Sequence, residues 1–293
     1  MKTQTRLEFK KIREFGEVIN DTFTFIKQNF KPLLKVYFYL CGFFVLATLI
    51  TAIMQQIGIQ KILKTSGSIQ GMEIFRSMFS YQYLLVVIFS MANFTAINVS
   101  IFSFVALYVE KGNVAPTVEQ VWGYFKYYYF RALISSIIIS LLLLIGFVFC
   151  MIPFFYIFPA MSLFFPVMMI ENGSFGYSFG RSFRLLKDQW WITAGTIIII
   201  WVITYATTSF ASLPGIILTV VSGLTSKSKE ISTLVIIIST TIQYLCQVLL
   251  IIPVIGVSLC YFNLAERLDN TGLMSRIDQL GEKQEFQTGK EEY

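Results

Sequence analysis

Apolar residues in this chain gather into long stretches that contain no Asp, Glu, Lys or Arg: 36–54, 82–109, 132–170, 189–226 and 231–265. A membrane-spanning helix needs about 20 consecutive apolar residues, and each stretch reaches that length. The third is too long for one crossing. At ~1.5 Å rise per residue it is nearly twice the ~30 Å thickness of a hydrocarbon core. Pro153 stands where the chain must turn, so this stretch divides into two expected helices, about 132–151 and 154–170. The pattern predicts an all-α fold: an integral membrane bundle of six transmembrane helices.

A second pattern precedes the apolar stretches. Residues 15–30 and 175–190 align without gaps, with identities at Phe15/Phe175, Gly16/Gly176, Phe23/Phe183 and Lys27/Lys187. Ile19/Phe179, Ile26/Leu186 and Phe30/Trp190 are similar. A weaker third copy, 118–129, places Trp122, Phe125, Lys126 and Tyr129 at the Phe23, Ile26, Lys27 and Phe30 positions. In each copy the apolar residues recur in steps of three and four, the signature of an amphipathic helix. The stripes are Phe15, Ile19, Phe23, Ile26, Phe30; then Val118, Trp122, Phe125, Tyr129; then Phe175, Phe179, Phe183, Leu186, Trp190. Such helices are expected to lie flat at the membrane interface, aromatics toward lipid or bundle and basic groups toward headgroups. Tyr127, Tyr128, Tyr129, Trp190 and Trp191 suit an interfacial aromatic belt.

Each copy is followed by two spans and so returns to the same face. Three parallel repeats of interfacial elbow plus transmembrane hairpin are expected, about 12–109, 116–170 and 174–265. They form one six-span domain over 1–265, followed by a polar tail over 266–293. The first hairpin has the longest outer loop, 55–81, where short surface helices are expected. In the tail, Asn270-Thr271-Gly272 breaks the last helix, and Leu273, Ile277 and Leu280 suggest one short amphipathic segment.

Charge then orients the bundle. Basic residues crowd one face: those from Lys2 to Lys35, then Lys111, Lys126 and Arg131, then Arg181, Arg184 and Lys187, then the tail. The opposite face holds only Lys61, Lys64, Arg76, Lys227 and Lys229. The positive-inside rule places the first face, with both termini, in the cytoplasm. The net charge of +6 is thereby a topology signal. Nucleic acid is not an expected partner, because no recognition motif or long basic run is present. The composition, 55% hydrophobic and 14% charged, leaves a soluble domain nowhere to put its apolar surface. The charged opening residues do not have the form of a secretory signal, so the first apolar stretch is expected to remain in the membrane.

Chemistry is scarce. The chain has no histidine, which excludes Ser-His-Asp, Cys-His and HExxH chemistry. Its four cysteines, Cys41, Cys150, Cys246 and Cys260, lie in apolar spans with no metal-ligand spacing, so neither a metal nor a cofactor is expected. The carboxylates nearest the membrane, Glu110, Glu171, Asp188 and Glu266, sit at span ends and far apart in sequence. No ionisable residue lies within a span, which disfavours a carrier coupled to protons or sodium. Polar residues do: Asn93, Asn98, Gln243 and Gln247 are candidates for lining a neutral polar cavity. Interhelical hydrogen bonding is the plainer reading of the same residues, as of the serines and threonines of the spans. Pro159 and Pro166 in one short span point to an irregular helix.

The stretch Ser182-Phe183-Arg184-Leu185-Leu186-Lys187-Asp188-Gln189-Trp190-Trp191 resembles the elbow of the glycerophosphoryl diester phosphodiesterase membrane domain and of related bacterial multi-pass families. Residues 23–30 echo it more loosely. The resemblance implies a bacterial inner-membrane protein with three elbow–hairpin units. It implies no phosphodiesterase activity, since in that family the hydrolase is a separate soluble domain with catalytic histidines. The expected role is non-enzymatic, a membrane scaffold or accessory subunit. Its elbows are expected to meet anionic lipid through Lys27, Lys126, Arg181, Arg184 and Lys187. Membrane lipids, other membrane proteins or a second copy of the chain are the expected partners. The alternative is a transporter or flippase for a lipid or neutral small solute.

Overall fold

The computed structural model describes residues 6–65, 75–77, 79–149, 151–225 and 233–269. Gly67, Cys150, Lys227, Lys229 and the segment around Leu273, Ile277 and Leu280 lie outside these. Among the described residues the fold is all-helical, without strands. Its principal helices are α1 (Phe15–Gln28), α2 (Phe30–Thr65), α3 (Tyr81–Glu110), α4 (Val118–Phe149), α5 (Met151–Ile170), α6 (Phe175–Leu186), α7 (Trp190–Thr225), α8 (Thr233–Leu245) and α9 (Ile251–Asp269).

Five segments are long and apolar enough to cross a membrane: Phe30–Ile62, Tyr81–Glu110, Val118–Val148, Trp190–Leu218 and Thr233–Asp269. A shorter apolar helix, Phe154–Ile170, lies within α5. The long stretch 132–170 does divide near Pro153, which falls in the first turn of α5, where a missing N–H costs nothing. Pro159 and Pro166 sit inside α5 without ending it. The first span overruns its sequence limits, because α2 continues to Thr65 and takes in the opening part, 55–65, of the expected outer loop.

The last span is interrupted. Between α8 and α9 the chain tightens into a 3-10 turn, Cys246–Leu250, just before Pro253. Proline removes the N–H that Leu249 would accept from, so the α-helical ladder cannot run through intact. The last helix ends at Asp269, and Glu266 is buried. The bundle therefore extends a little past 265 into what reads as tail.

Three helices form the centre. α3, α5 and α9 pack on one another, while α2, α4 and α7 flank them. α2 contacts α8, and α7 contacts both α8 and α9. Close approach needs small residues. A Cβ on Gly215 of α7 would meet the Ser239 backbone of α8 at 3.1 Å.

The three flanking helices bury matching positions. Leu33, Ala132 and Thr193 are buried; so are Val36, Ser135 and Thr196, and again Leu40, Ile139 and Ile200. These triplets keep the same register as the elbow alignment. The residues between them, Phe38-Tyr39, Ile137-Ile138 and Ile198-Ile199, all face outward. The elbows match too. Val18, Thr22 and Phe25 of α1 are buried, as are Ser178, Ser182 and Leu185 of α6. Thr22 Oγ donates to Val18 O at 2.8 Å and Ser182 Oγ donates to Ser178 O at 2.7 Å.

One expectation about the elbows is narrowed and one needs correction. Of the two destinations open to the aromatic stripe of α1, lipid or bundle, its rings take the outer one. Phe15, Phe23 and Phe30 are exposed, and the face one step round the helix packs inward. Burial of Thr22 and Ser182 is inexpensive because each hydroxyl is satisfied by its own backbone, which frees the aromatic rings for the outside. In α6 the stripe is mixed, with Phe175 exposed and Leu186 buried. The second copy is not a separate helix, since 118–129 runs straight into the span as part of α4. The first copy ends at Asn29, with Pro32 just beyond, and the third ends in the turn 187–189. At the position matching Pro32 the second copy has Arg131, which keeps its N–H and lets the helix continue.

Candidate functional site

The elbow end of the bundle is held by polar ties between residues distant in sequence. Arg13 is almost wholly buried. Its guanidinium donates to Asp21 Oδ2 at 2.8 Å, to Phe9 O at 2.7 Å, to Lys11 O at 3.0 Å and to Glu8 O. Its backbone N–H donates to Asn263 Oδ1 at 2.8 Å, and Arg267 donates to its carbonyl at 3.1 Å. Tyr108 OH donates to Leu7 O at 3.1 Å. These ties seat Phe9, fully buried, edge-on against Phe25, Tyr108 and Phe262. The segment before α1 thus plugs the end of the central helices. Sequence reading treats it only as charged. The alternation of Leu7 and Phe9 among the charges is its sole signal.

A second cluster centres on Glu171. It accepts from Tyr177 OH at 2.6 Å, Tyr261 OH at 2.9 Å and Arg181 Nε at 3.2 Å. Arg181 also pairs with Asp269. Donation to the Glu171 carboxylate, aided by burial, raises the Tyr177 phenol above its ordinary range. Burial works against the charge of Arg181, but the hydrogen bond to Asp269 and the Glu171 carboxylate outweigh it, and its pKa rises. Beside this cluster Arg131 donates to Asn172 Oδ1 at 3.3 Å and to Gly173 O, holding the turn where Asn172 takes a left-handed φ of 49°. Of the other carboxylates, Glu110 accepts from Tyr124 OH at 2.9 Å, Asp188 is exposed and Glu266 is buried.

The five candidate headgroup cations therefore divide. Arg181 is spent on two intramolecular carboxylates. Lys27, Lys126, Arg184 and Lys187 are exposed. The Lys126 ammonium lies 5.1 Å from the centre of the exposed Trp122 ring, a cation–π arrangement. At the same end, a cleft of about 470 Å³ between α1, α7 and α9 is lined by Arg267, Gln189 and Trp191 among others.

The four polar-cavity candidates do not share one space. Asn93 Nδ2 donates to Gln247 Oε1 at 2.6 Å, tying α3 to the 3-10 turn. Gln243 lines an outlying cleft with Gln56, Gln60 and Thr240. Only Asn98 faces the bundle centre. There, a cavity of about 380 Å³ is walled by Ser90, Met91, Phe94, Ile97, Asn98 and Phe102 of α3 and by Ser136, Ile139, Ser140 and Leu143 of α4. Phe158, Met161, Ser162 and Phe165 of α5, Trp201 of α7, and Leu250, Pro253, Val254 and Val257 complete it. The walls are chiefly apolar. Among the described residues no cluster of three or more Cys, Asp or Glu side chains could hold a metal ion.

No protein-family model, no curated protein and no solved structure matches this chain.

Proposed function

We propose that this chain is a non-enzymatic inner-membrane protein, a scaffold or accessory subunit whose elbow end lies in the cytoplasm and contacts anionic lipid. We further propose three parallel elbow–hairpin repeats about a pseudo-threefold axis. The matched burial of the three flanking helices supports the repeats. So does the order in which α1 packs on α9, the start of α4 on α3, and α6 on α5. The likeness of 182–191 to a phosphodiesterase-associated membrane domain belongs to the same reading, as a likeness of membrane architecture only.

The observation that carries the lipid role is the exposure of Lys27, Lys126, Arg184 and Lys187 on one end of an apolar bundle, next to exposed aromatics. Each basic group near an anionic surface contributes about 1 kcal/mol. Changing all four to Gln, with Arg181 retained, should sharply reduce the phosphatidylglycerol that copurifies with the protein, read by native mass spectrometry. It should also flatten the salt dependence of that binding. Unchanged retention in the quadruple variant would leave the elbows as structural devices alone.

The transporter or flippase reading is favoured by one observation, the central cavity. Its walls carry no ionisable group, so any cargo would be a lipid or a neutral solute.

A further inference from the structure

The depth of the central cavity narrows what reaches it. Asn98 lies about twelve residues, roughly 18 Å, along α3 from Glu110 at the elbow end. Ser140 lies about nine residues, roughly 14 Å, beyond Arg131 on α4. Both positions fall within a ~30 Å hydrocarbon core. The wall residues Phe94 and Ser140 are exposed, so the cavity opens sideways at that depth. What enters comes from the bilayer interior. The volume of about 380 Å³ lies within the ~300–1,000 Å³ of small-molecule sites.

The polar residues on the walls are Ser90, Asn98, Ser136, Ser140 and Ser162. Ser136, Ser140 and Ser162 each donate to a carbonyl of their own helix, at 2.8, 2.8 and 3.0 Å. Asn98 is 93% buried, its relative exposure being 7%. Its Nδ2 donates to Phe94 O at 2.8 Å. No described residue donates to its Oδ1. The three serines therefore present acceptor lone pairs to the cavity, and Asn98 presents its free Oδ1 beside the one amide N–H that Phe94 O does not take. Apolar walls without a cationic residue disfavour anions, and ethers and esters bring no hydrogen for the unpartnered Asn98 Oδ1. The cavity suits a molecule with a hydrocarbon body and one O–H.

We propose that the central cavity binds a neutral, hydroxyl-bearing lipid, its chain against Ile97, Leu143, Phe165 and Val257 and its hydroxyl donating to Asn98 Oδ1. The site is separate from the cationic elbows, and its occupancy requires no movement of lipid across the membrane.

Trp201 lines the cavity, whereas Trp122, Trp190 and Trp191 lie among the elbows, so bromine quenching of indole fluorescence reads the site directly. The probe is a long-chain ω-bromoalkanol titrated into the purified full-length protein in zwitterionic nanodiscs, compared with its methyl ether. The alcohol should quench saturably, and that component should vanish in Trp201→Phe. The ether should bind about tenfold more weakly, because a site built to accept from a hydroxyl rejects the analogue lacking it. Asn98→Leu should bring the alcohol down to the level of the ether. Ser140→Phe, a change at the exposed mouth, should abolish saturable quenching by both and keeps the test sound if the Asn98 variant fails to fold. Equal quenching in Trp201→Phe, indifference to Ser140→Phe, or equal affinity for alcohol and ether would overturn the proposal. None of these outcomes bears on anionic lipid at the elbows.

Discussion

The elbow end and the bundle centre use polar groups in opposite ways. At the elbow end they join distant parts of the chain: Arg13 to Asn263, Tyr108 to Leu7, Tyr261 to Glu171, Arg181 to Asp269. In the spans most hydroxyls bond their own helix one turn back, as Thr204 Oγ does to Ile200 O at 2.8 Å and Ser258 Oγ to Val254 O at 2.8 Å. The first habit fixes tertiary structure. The second only makes a polar residue tolerable in an apolar setting. The bundle is braced at one end and loosely filled halfway along, and the slack is where the cavity lies.

That contrast sets an order of expected effects. Phe9→Ala should be the most damaging single change. It empties a fully buried aromatic site and should cost about 3–5 kcal/mol, read as a large drop in thermal unfolding temperature in detergent. If the variant were as stable as its parent, the plug would be an ornament of the elbow end. Tyr261→Phe removes one of three donors to Glu171. It should cost about 1.5 kcal/mol, the low end for a hydrogen bond to a charged group, since two donors remain. A loss equal to that of Phe9→Ala would mean that the two clusters unfold as one unit. Thr204→Val removes only a bond within its own helix and should change stability by less than ~0.5 kcal/mol. A clear destabilisation there would erase the distinction between long-range and local polar bonding.

The elbow alignment shows how far one-dimensional pattern reaches. The match of 15–30 to 175–190 pointed to two helices, and α1 and α6 stand there with equivalent residues buried. It did not identify which face is buried. A hydrophobic stripe at a membrane interface has two apolar destinations, lipid and bundle, and hydrophobicity alone does not separate them. Nor did it show that the second copy merges with its span. The following residue does not settle it: Arg131 follows the unbroken copy, but Ile192, no breaker either, stands at the matching place after the third copy, which ends in a turn. The polar candidates fared unevenly for a similar reason. Asn93 and Gln247 were legible as hydrogen-bonding residues, but that they meet each other while Asn98 faces a cavity depends on where the 3-10 turn puts Gln247.

The sequence by itself determined the material of the protein. Its long uncharged stretches required apolar helices, because unpaired backbone groups are too costly in hydrocarbon. Its lack of histidine removed whole classes of chemistry. The position of Pro153 placed the division of the longest stretch. Tertiary structure alone decided that α3, α5 and α9 are central, that Arg13 and Phe9 close one end, and that a chiefly apolar cavity remains halfway along. These depend on contacts between residues up to 254 positions apart. Local periodicity carries no information about such partners until the helices are packed.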